Sequence, residues 1–343
     1  MFSYLVRRLL TMIPMFFLMT GVYFAVQNYL PGGPVQEILS KIQHGGAEGG
    51  GRSMNIEDVA KLRAELEKQY GLDQPVHVRY WKWLQKVVVL DFGDSMTTRE
   101  PAMKTIAERI PVSIGFGVPG FILTYLVCIF LGMFKALKDG TKMDISSSVF
   151  LFVIYSIPPL VLSVVFLLVF CTDRVLPGGA LFPLGGARSD NWDTMTFAQQ
   201  CVDYVQHMFL PVTASLLGGF TFLTMLMKNS LLDVLSSDFV RTARAKGLSE
   251  SKVIYKHALR NAILPMMVGI GGFLSAFVAG SIVIESVFGL PGMGRLMIES
   301  LNSRDYNVLM GVAVLQSGIV MFGQLISDIA YVLVDPRIDF NGR

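Results

Sequence analysis

The sequence predicts an all-α membrane protein: six transmembrane helices, with a small helical insertion outside the membrane between the first and second. Three observations predict it. Only 16% of the residues are charged and the mean hydropathy is +0.52, far from the balance of a water-soluble domain. Six stretches reach the roughly 20 apolar residues that carry a helix across about 30 Å of hydrocarbon. Lys and Arg are sorted unevenly among the connections between those stretches.

The first stretch, 9–29, follows Arg7 and Arg8 and could pass for a secretory signal. It is longer than the roughly 7–15 apolar residues of such signals, and no small-x-small cleavage site precedes Pro31, so it is expected to stay as a first span. The others are 112–134, 149–171, 209–227, 264–288 and 309–333. Each is expected to be helical, because lipid offers the backbone no hydrogen-bond partner. Pro14, Pro119, Pro158, Pro159 and Pro211 fall in or at the ends of these runs, which suits a packed bundle whose neighbours satisfy the freed carbonyls. Ser156 with Pro158 and Pro159 predicts a kink in the third span.

Orientation follows from the short connections. One side receives fourteen cations: Arg7, Arg8, Lys135, Lys138, Lys142, Lys228, Arg241, Arg244, Lys246, Lys252, Lys256, Arg260, Arg337 and Arg343. The other receives four, Arg174, Arg188, Arg295 and Arg304. Cytoplasmic loops carry the excess, so both termini are expected inside. The parts are then a first helix over 1–30, an external insertion over 31–111, a core of five spans over 112–335 and a cytoplasmic tail over 336–343.

Within the insertion, residues 44–53 form a glycine-rich link, while 55–71 carry Val59, Leu62, Leu66 and Tyr70 at helical spacing, with Asn55 as a cap and Gly71 as a stop. WKWLQKVVVL adds a second amphipathic piece. Its tryptophans, Trp81 and Trp83, suit either a cap over the bundle or a surface for a partner. The external segment 172–206 reads as irregular. Cys128, Cys171 and Cys201 form no disulfide or zinc pattern and are read as small core residues.

Between the fourth and fifth spans lies FVRTARAKGLSESKVIYKHALRNAILP. Ser236 and Ser237 can cap a short helix from about Asp238 to Lys246, and Gly247 can stop it in the left-handed conformation. A second helix starts at Ser249, with Ile254, Ala258 and Ala262 on one face and Lys252, Lys256 and Arg260 on another, and runs towards Pro265. The cations alone fit the positive-inside rule or contact with anionic headgroups. They lack the aromatic interleaving of a nucleic-acid surface, and no nucleic-acid partner is expected. Charge does not account for the small Thr242, Ala243 and Ala245 beside an elbow glycine, a combination that lets another protein approach closely.

These residues resemble the cytoplasmic "EAA loop" of ATP-binding-cassette importer permeases, in the form used by the dipeptide, oligopeptide and nickel branch. Arg241 and Thr242 stand where the general pattern has Glu and Ala, a departure that matches that branch. YLVRRLLTMIP and YLPGGPV resemble the branch's N-terminal signature, though many members have PGDP. DFGDS at 91–95, IESVFGLPGMG at 284–294 and LVDPRIDFNGR at 333–343 resemble its later segments, so the likeness covers nearly the whole chain. The PGGP form with the DFNGR ending is most similar to the YejB type of permease, associated with oligopeptides and peptide-like antibiotics such as microcin C.

The resemblance implies a type I importer permease in the bacterial cytoplasmic membrane that binds no cofactor itself. Its implied partners are a homologous second permease, two ATP-binding-cassette domains or subunits that bind ATP and Mg, and an extracytoplasmic peptide-binding protein. Asp238, Arg241, Thr242, Ala243, Arg244, Ala245, Lys246, Gly247, Leu248 and Pro265 are the implied ATPase-coupling residues. The sequence agrees that energy comes from elsewhere, since no G-x-x-x-x-G-K-[ST] occurs in it. Glu285, Phe288 and Pro291 are candidates for the translocation path or gate. An intramembrane carboxylate is costly enough that Glu285 should either line the path, meeting a peptide amine, or cap the irregular GLPGMG turn. Asp328 reads as a helix-packing or interfacial residue.

Two rival classes fit less well. An intramembrane hydrolase would place a histidine opposite a serine motif, and only His207 lies near a span. A secondary transporter driven by an ion gradient would carry charged relays inside several helices.

Overall fold

The computed structural model describes residues 2–29, 74–173, 175, 180–278 and 280–334. The expected helix over 55–71, the PGGP motif and the C-terminal DFNGR lie outside them. Among the described residues there is no strand, only an isolated bridge between Asp94 and Pro101. The helices in chain order are α1 (Phe2–Tyr29), α2 (Val76–Val88), α3 (Ala102–Leu137), α4 (Lys142–Tyr155), α5 (Pro159–Phe170), α6 (Phe197–Leu235), α7 (Asp238–Ala245), α8 (Glu250–Lys252), α9 (Leu259–Ala262), α10 (Leu264–Val278), α11 (Ile282–Val287), α12 (Met293–Asn302) and α13 (Tyr306–Val334). A π-helical turn, Val253–Ala258, joins α8 to α9.

Among the described residues four helices are long and apolar enough to cross a membrane, within α1, α3, α6 and α13, and α4 with α5 makes a fifth if the pair is counted as one span. The kink expected at Ser156 and Pro158 is a bend of 95° between α4 and α5. Pro159 then opens α5 at the position where its missing N–H costs nothing. The stretch 264–288, expected as one span, is instead two helices, α10 and α11, with Gly280 at φ +90° between them. Hydropathy counts apolar residues along a stretch and does not sense such a break. By contrast Pro14, Pro111, Pro119 and Pro211 all sit inside continuous helices.

Two compact units are present. The larger comprises Met1–Arg8, Ala107–Ile298 and Gly318–Arg343; the smaller comprises Leu9–Ile106 and Glu299–Ser317. In the smaller, α2 lays Tyr80 and Trp83 against Phe24 of α1, with ring centroids 5.5 and 5.6 Å apart. Trp83 is therefore partly covered, while Trp81 stays exposed. The DFGDS segment folds into a tight turn: Ser95 donates to Asp305 at 2.5 Å, and Asn307 donates to the Asp94 carbonyl at 2.7 Å.

In the larger unit one core is shared by α3, α6 and the basic stretch. Cys128, Leu223, Met227, Leu231, Val240, Val253, Ala258, Ala262 and Met266 are all buried in it. A second core gathers Phe116, Cys171, Met208, Leu210, Ile284, Phe288 and Leu290. Cys128 and Cys171 are buried as expected, but Cys201 is exposed on α6, so only two of the three cysteines are core residues. Where α10 meets α13 the backbones nearly touch: a Cβ on Gly271 would stand 1.5 Å from the Gly323 carbonyl oxygen. Small residues at a crossing are how membrane helices gain van der Waals contact when lipid supplies no hydrophobic drive.

Candidate functional site

The basic stretch folds as an elbow. α7 ends where the Gly247 N–H reaches the Arg244 carbonyl at 2.9 Å, and Gly247 takes φ +76°. A Cβ on Gly247 would meet nothing within 4 Å, so glycine is favoured there by the backbone angle and not by crowding within this chain. Ser237 sits at the N-cap position of α7, yet its hydroxyl donates to the Val234 carbonyl at 2.5 Å and makes no cap bond. Across the elbow the Arg244 guanidinium grips Glu250 through two bonds of 2.8 and 3.4 Å. Ser249 stands at the N-cap position where the second arm starts, as expected, but its side chain makes no cap bond.

The two faces of this element are sharply divided. Val240, Ala243, Val253, Ala258 and Ala262 are buried in the chain's own core. Asp238, Arg241, Thr242, Arg244, Ala245, Lys246 and Gly247 are exposed, as is Pro265, and Leu248 is half-buried. Ala243 thus anchors the elbow from beneath, while Thr242 and Ala245 leave low relief on its outer surface. The buried positions 253, 258 and 262 are spaced by five and then four, where a regular helix would give i, i+4 from Ile254. The π turn, with its i→i+5 bonding, accommodates that extra residue. The second arm is also fixed to α6, since Ser230 donates to the Ala262 carbonyl at 2.7 Å.

Behind the elbow lies a set of buried ions that the sequence did not single out. Lys135, 1% exposed near the end of α3, donates to the Asp144 carbonyl at 2.8 Å, to Ser147 and Ser148 at 2.7 and 2.8 Å, and pairs with Asp144 Oδ1 at 2.9 Å. Lys228 of α6 pairs with Asp144 Oδ2 at 2.7 Å and with Asp139 at 2.8 Å. Asp144 therefore ties three helices together, one of them the helix that leads into the elbow. The available signal was a lysine inside FLGMFKALKDG, at the end of an apolar run.

Glu285 is fully buried at the start of α11. Ser113 donates to Oε1 at 3.0 Å, the Ser281 N–H to Oε1 at 3.2 Å and the Arg295 N–H to Oε2 at 2.8 Å. Ser113 in turn accepts from the Met293 N–H at 2.8 Å, and a Cβ on Gly292 would lie 2.5 Å from the Glu285 carboxyl carbon. The carboxylate is the internal staple of the GLPGMG turn, which supports the structural one of its two possible roles. Phe288, 3% exposed, accepts from the Gly186 N–H at 2.9 Å, and Pro291 is half-buried. Asp328 pairs with Arg8 at 2.6 Å, the packing role expected of it.

His207, Asp203 and Ser189 do come together, but in an order that serves no nucleophile. Ser189 Oγ donates to the Asp203 carboxylate, and His207 Nδ1 lies 2.8 Å from the Asp203 backbone carbonyl and 3.4 Å from that carboxylate. A hydrolase needs the imidazole between serine and carboxylate; here the carboxylate is in the middle. Among the described residues no group of three or more His, Cys, Asp or Glu could hold a metal ion.

With this geometry in place, likeness to known proteins is informative. Residues 128–340, which include the elbow and the Glu285 turn, match the family model of the binding-protein-dependent transport system inner membrane component. Over 99% of this chain and 100% of its own length, the inner membrane ABC transporter permease protein YejB of Escherichia coli O157:H7 is 38% identical. The peptidoglycan transport system permease protein YejB of Agrobacterium fabrum is 36% identical over 99% of both chains. The oligopeptide transport system permease protein AppB of Bacillus subtilis is 32% identical over 99% of this chain and 100% of its own. The chain belongs to the family of binding-protein-dependent transport system inner membrane components, and within it to the YejB type of permease.

Proposed function

We propose that this chain is the permease subunit of an ATP-driven importer for oligopeptides or peptide-like compounds. The observation that carries the proposal is the elbow at Gly247: an exposed surface of low relief whose reverse side is part of the bundle core. Such an element passes a push from a docked neighbour directly into α3 and α6. ATP hydrolysis belongs to that neighbour, and the chain supplies the gate. The residues Asp238, Arg241, Thr242, Arg244, Ala245, Lys246, Gly247, Leu248 and Pro265 form the docking side, with Ala243 beneath them.

Six crossings are proposed, the bent pair α4 and α5 counting as one and the broken pair α10 and α11 as another, with both termini cytoplasmic and residues 31–111 external. The partners are a second, homologous permease in a heterodimer, two ATP-binding-cassette domains that hold ATP and Mg, and an extracytoplasmic binding protein. The cargo class follows the relatives, whose names speak of oligopeptide and peptidoglycan transport. Microcin C, a peptide-like antibiotic, falls within the class. Phe288 and Pro291, held by the Glu285 staple, are proposed as a rigid part of the gate that does not contact cargo. Alternating access then needs two global states with different contacts at each end, and the elbow supplies the inner one.

Gly247→Asp tests the proposal. Aspartate tolerates positive φ better than most residues, and the open space means that only about 1 kcal/mol of backbone strain is added. The bundle should remain folded while uptake of a labelled oligopeptide by cells carrying the complete transporter is lost. Normal uptake would refute the docking role.

A further inference from the structure

Within the larger unit an open groove of about 590 Å³ runs along α3, lined by Leu126, Val127, Phe130, Phe134, Leu137 and, from the basic stretch, Tyr255. Among the described residues no acidic side chain lines it. At the α3 end the Lys138 ammonium stands 4.6 Å from the Phe134 ring centroid, so a cation marks the mouth of an otherwise apolar trough. The neighbouring Asp139 is engaged by Lys228 at 2.8 Å and leaves that positive charge standing. Lys252 and Lys256, on the same arm as Tyr255, are exposed.

We infer that the groove is a binding site for one anionic phospholipid, an acyl chain lying along Phe130 and Phe134 with its phosphate at Lys138. An apolar trough on a spanning helix is filled by lipid tails in any membrane. The terminal cation selects the headgroup, since basic pockets between spanning helices at the cytoplasmic side favour anionic lipid. Charge complementarity thus favours an anionic lipid over a second protein, since the cation stands at the end of an apolar trough, where a headgroup phosphate would lie. Because Tyr255 belongs to the π turn of the elbow, the lipid would touch the coupling element directly. The inference rests on the cytoplasmic placement of the elbow proposed above.

The test uses the full chain with its co-purifying subunits, stripped of lipid in detergent, then exposed to phosphatidylglycerol or phosphatidylcholine and weighed by native mass spectrometry. Wild type should retain phosphatidylglycerol in preference to phosphatidylcholine. Lys138→Gln should lower that preference about fivefold, the equivalent of the roughly 1 kcal/mol that one surface cation contributes towards anionic lipid, and Lys138→Arg should restore it. Val127→Trp, at a 38% exposed position on the groove wall, should reduce retention of both lipids. Equal retention of the two lipids by wild type, or an unchanged preference in Lys138→Gln, would overturn the site. So would cross-linking of Phe130→Cys to a second permease. Lipid retention is read without transport, so loss of the site leaves the importer reading standing, and failure of uptake leaves the site measurable.

Discussion

Replacing Asp144 by asparagine removes an anion held between two lysines, and the surroundings fix what that should cost. Lys135 is 1% exposed and cannot turn to water, although the Asp144 carbonyl and the hydroxyls of Ser147 and Ser148 remain to it. Lys228 keeps Asp139, whose side chain is half exposed. Breaking a buried pair from one side costs about 3–5 kcal/mol, and the three neutral acceptors around Lys135 place this case near the lower limit, about 3 kcal/mol. The double variant Lys135→Met with Asp144→Leu removes the buried charge together with its partner. Lys228 retains Asp139, so the double variant should lie within about 1 kcal/mol of wild type. Denaturant unfolding of the detergent-solubilised chain, followed by intrinsic fluorescence, gives both values, and with the single variants Lys135→Met and Asp144→Leu it also gives the coupling. If Asp144→Asn costs less than about 0.5 kcal/mol, or the double variant is no better than the sum of its parts, Lys135 and Asp144 do not behave as a buried ion pair and the reasoning fails.

Other expectations follow from the same contacts. Gly271→Ala drives a methyl against the Gly323 carbonyl and should cost about 3 kcal/mol, the upper end of the overpacking range. Gly272→Ala, with nothing within 4 Å of the added carbon, should be neutral or slightly stabilising; comparable thermal stability of the two in detergent would contradict the close crossing of α10 and α13. Glu285→Gln sets an NH2 among N–H and O–H donors, and should lower stability by about 1–3 kcal/mol while leaving the ranking of competing peptides in uptake assays unchanged; a changed ranking would return Glu285 to the path. Arg244→Ala breaks an exposed ion pair and should cost less than about 1 kcal/mol in unfolding. Any large effect on ATP-driven uptake would then come from docking and not from folding.

Much of the elbow was legible in the sequence because its signals are local. Gly247 after a basic helix, Ser249 at the start of the second arm, and Ala258 and Ala262 on the face away from Lys252, Lys256 and Arg260 each act over a few residues and fell where expected, whereas Val253, not Ile254, takes the first buried place. The spacing 253, 258, 262 also carried the π turn, but a reading at i, i+4 from Ile254 absorbs it unnoticed. The broken stretch 264–288 was not legible, since an apolar count is blind to one glycine at positive φ. Nor was the Asp144 network, which depends on residues 135, 144 and 228 meeting across three helices. For Glu285 the sequence supplied the anomaly, an acid in an apolar run, but not Ser113, the residue 172 positions away that helps to resolve it.

The central claim is that the chain gates a path it cannot power, moved through the Gly247 elbow by a nucleotide-hydrolysing partner. The most direct measurement is peptide accumulation in sealed vesicles holding this chain with its second permease and an external binding protein, with and without the ATPase subunits and ATP. Accumulation only when both are added is the predicted result. Accumulation without them would contradict the account.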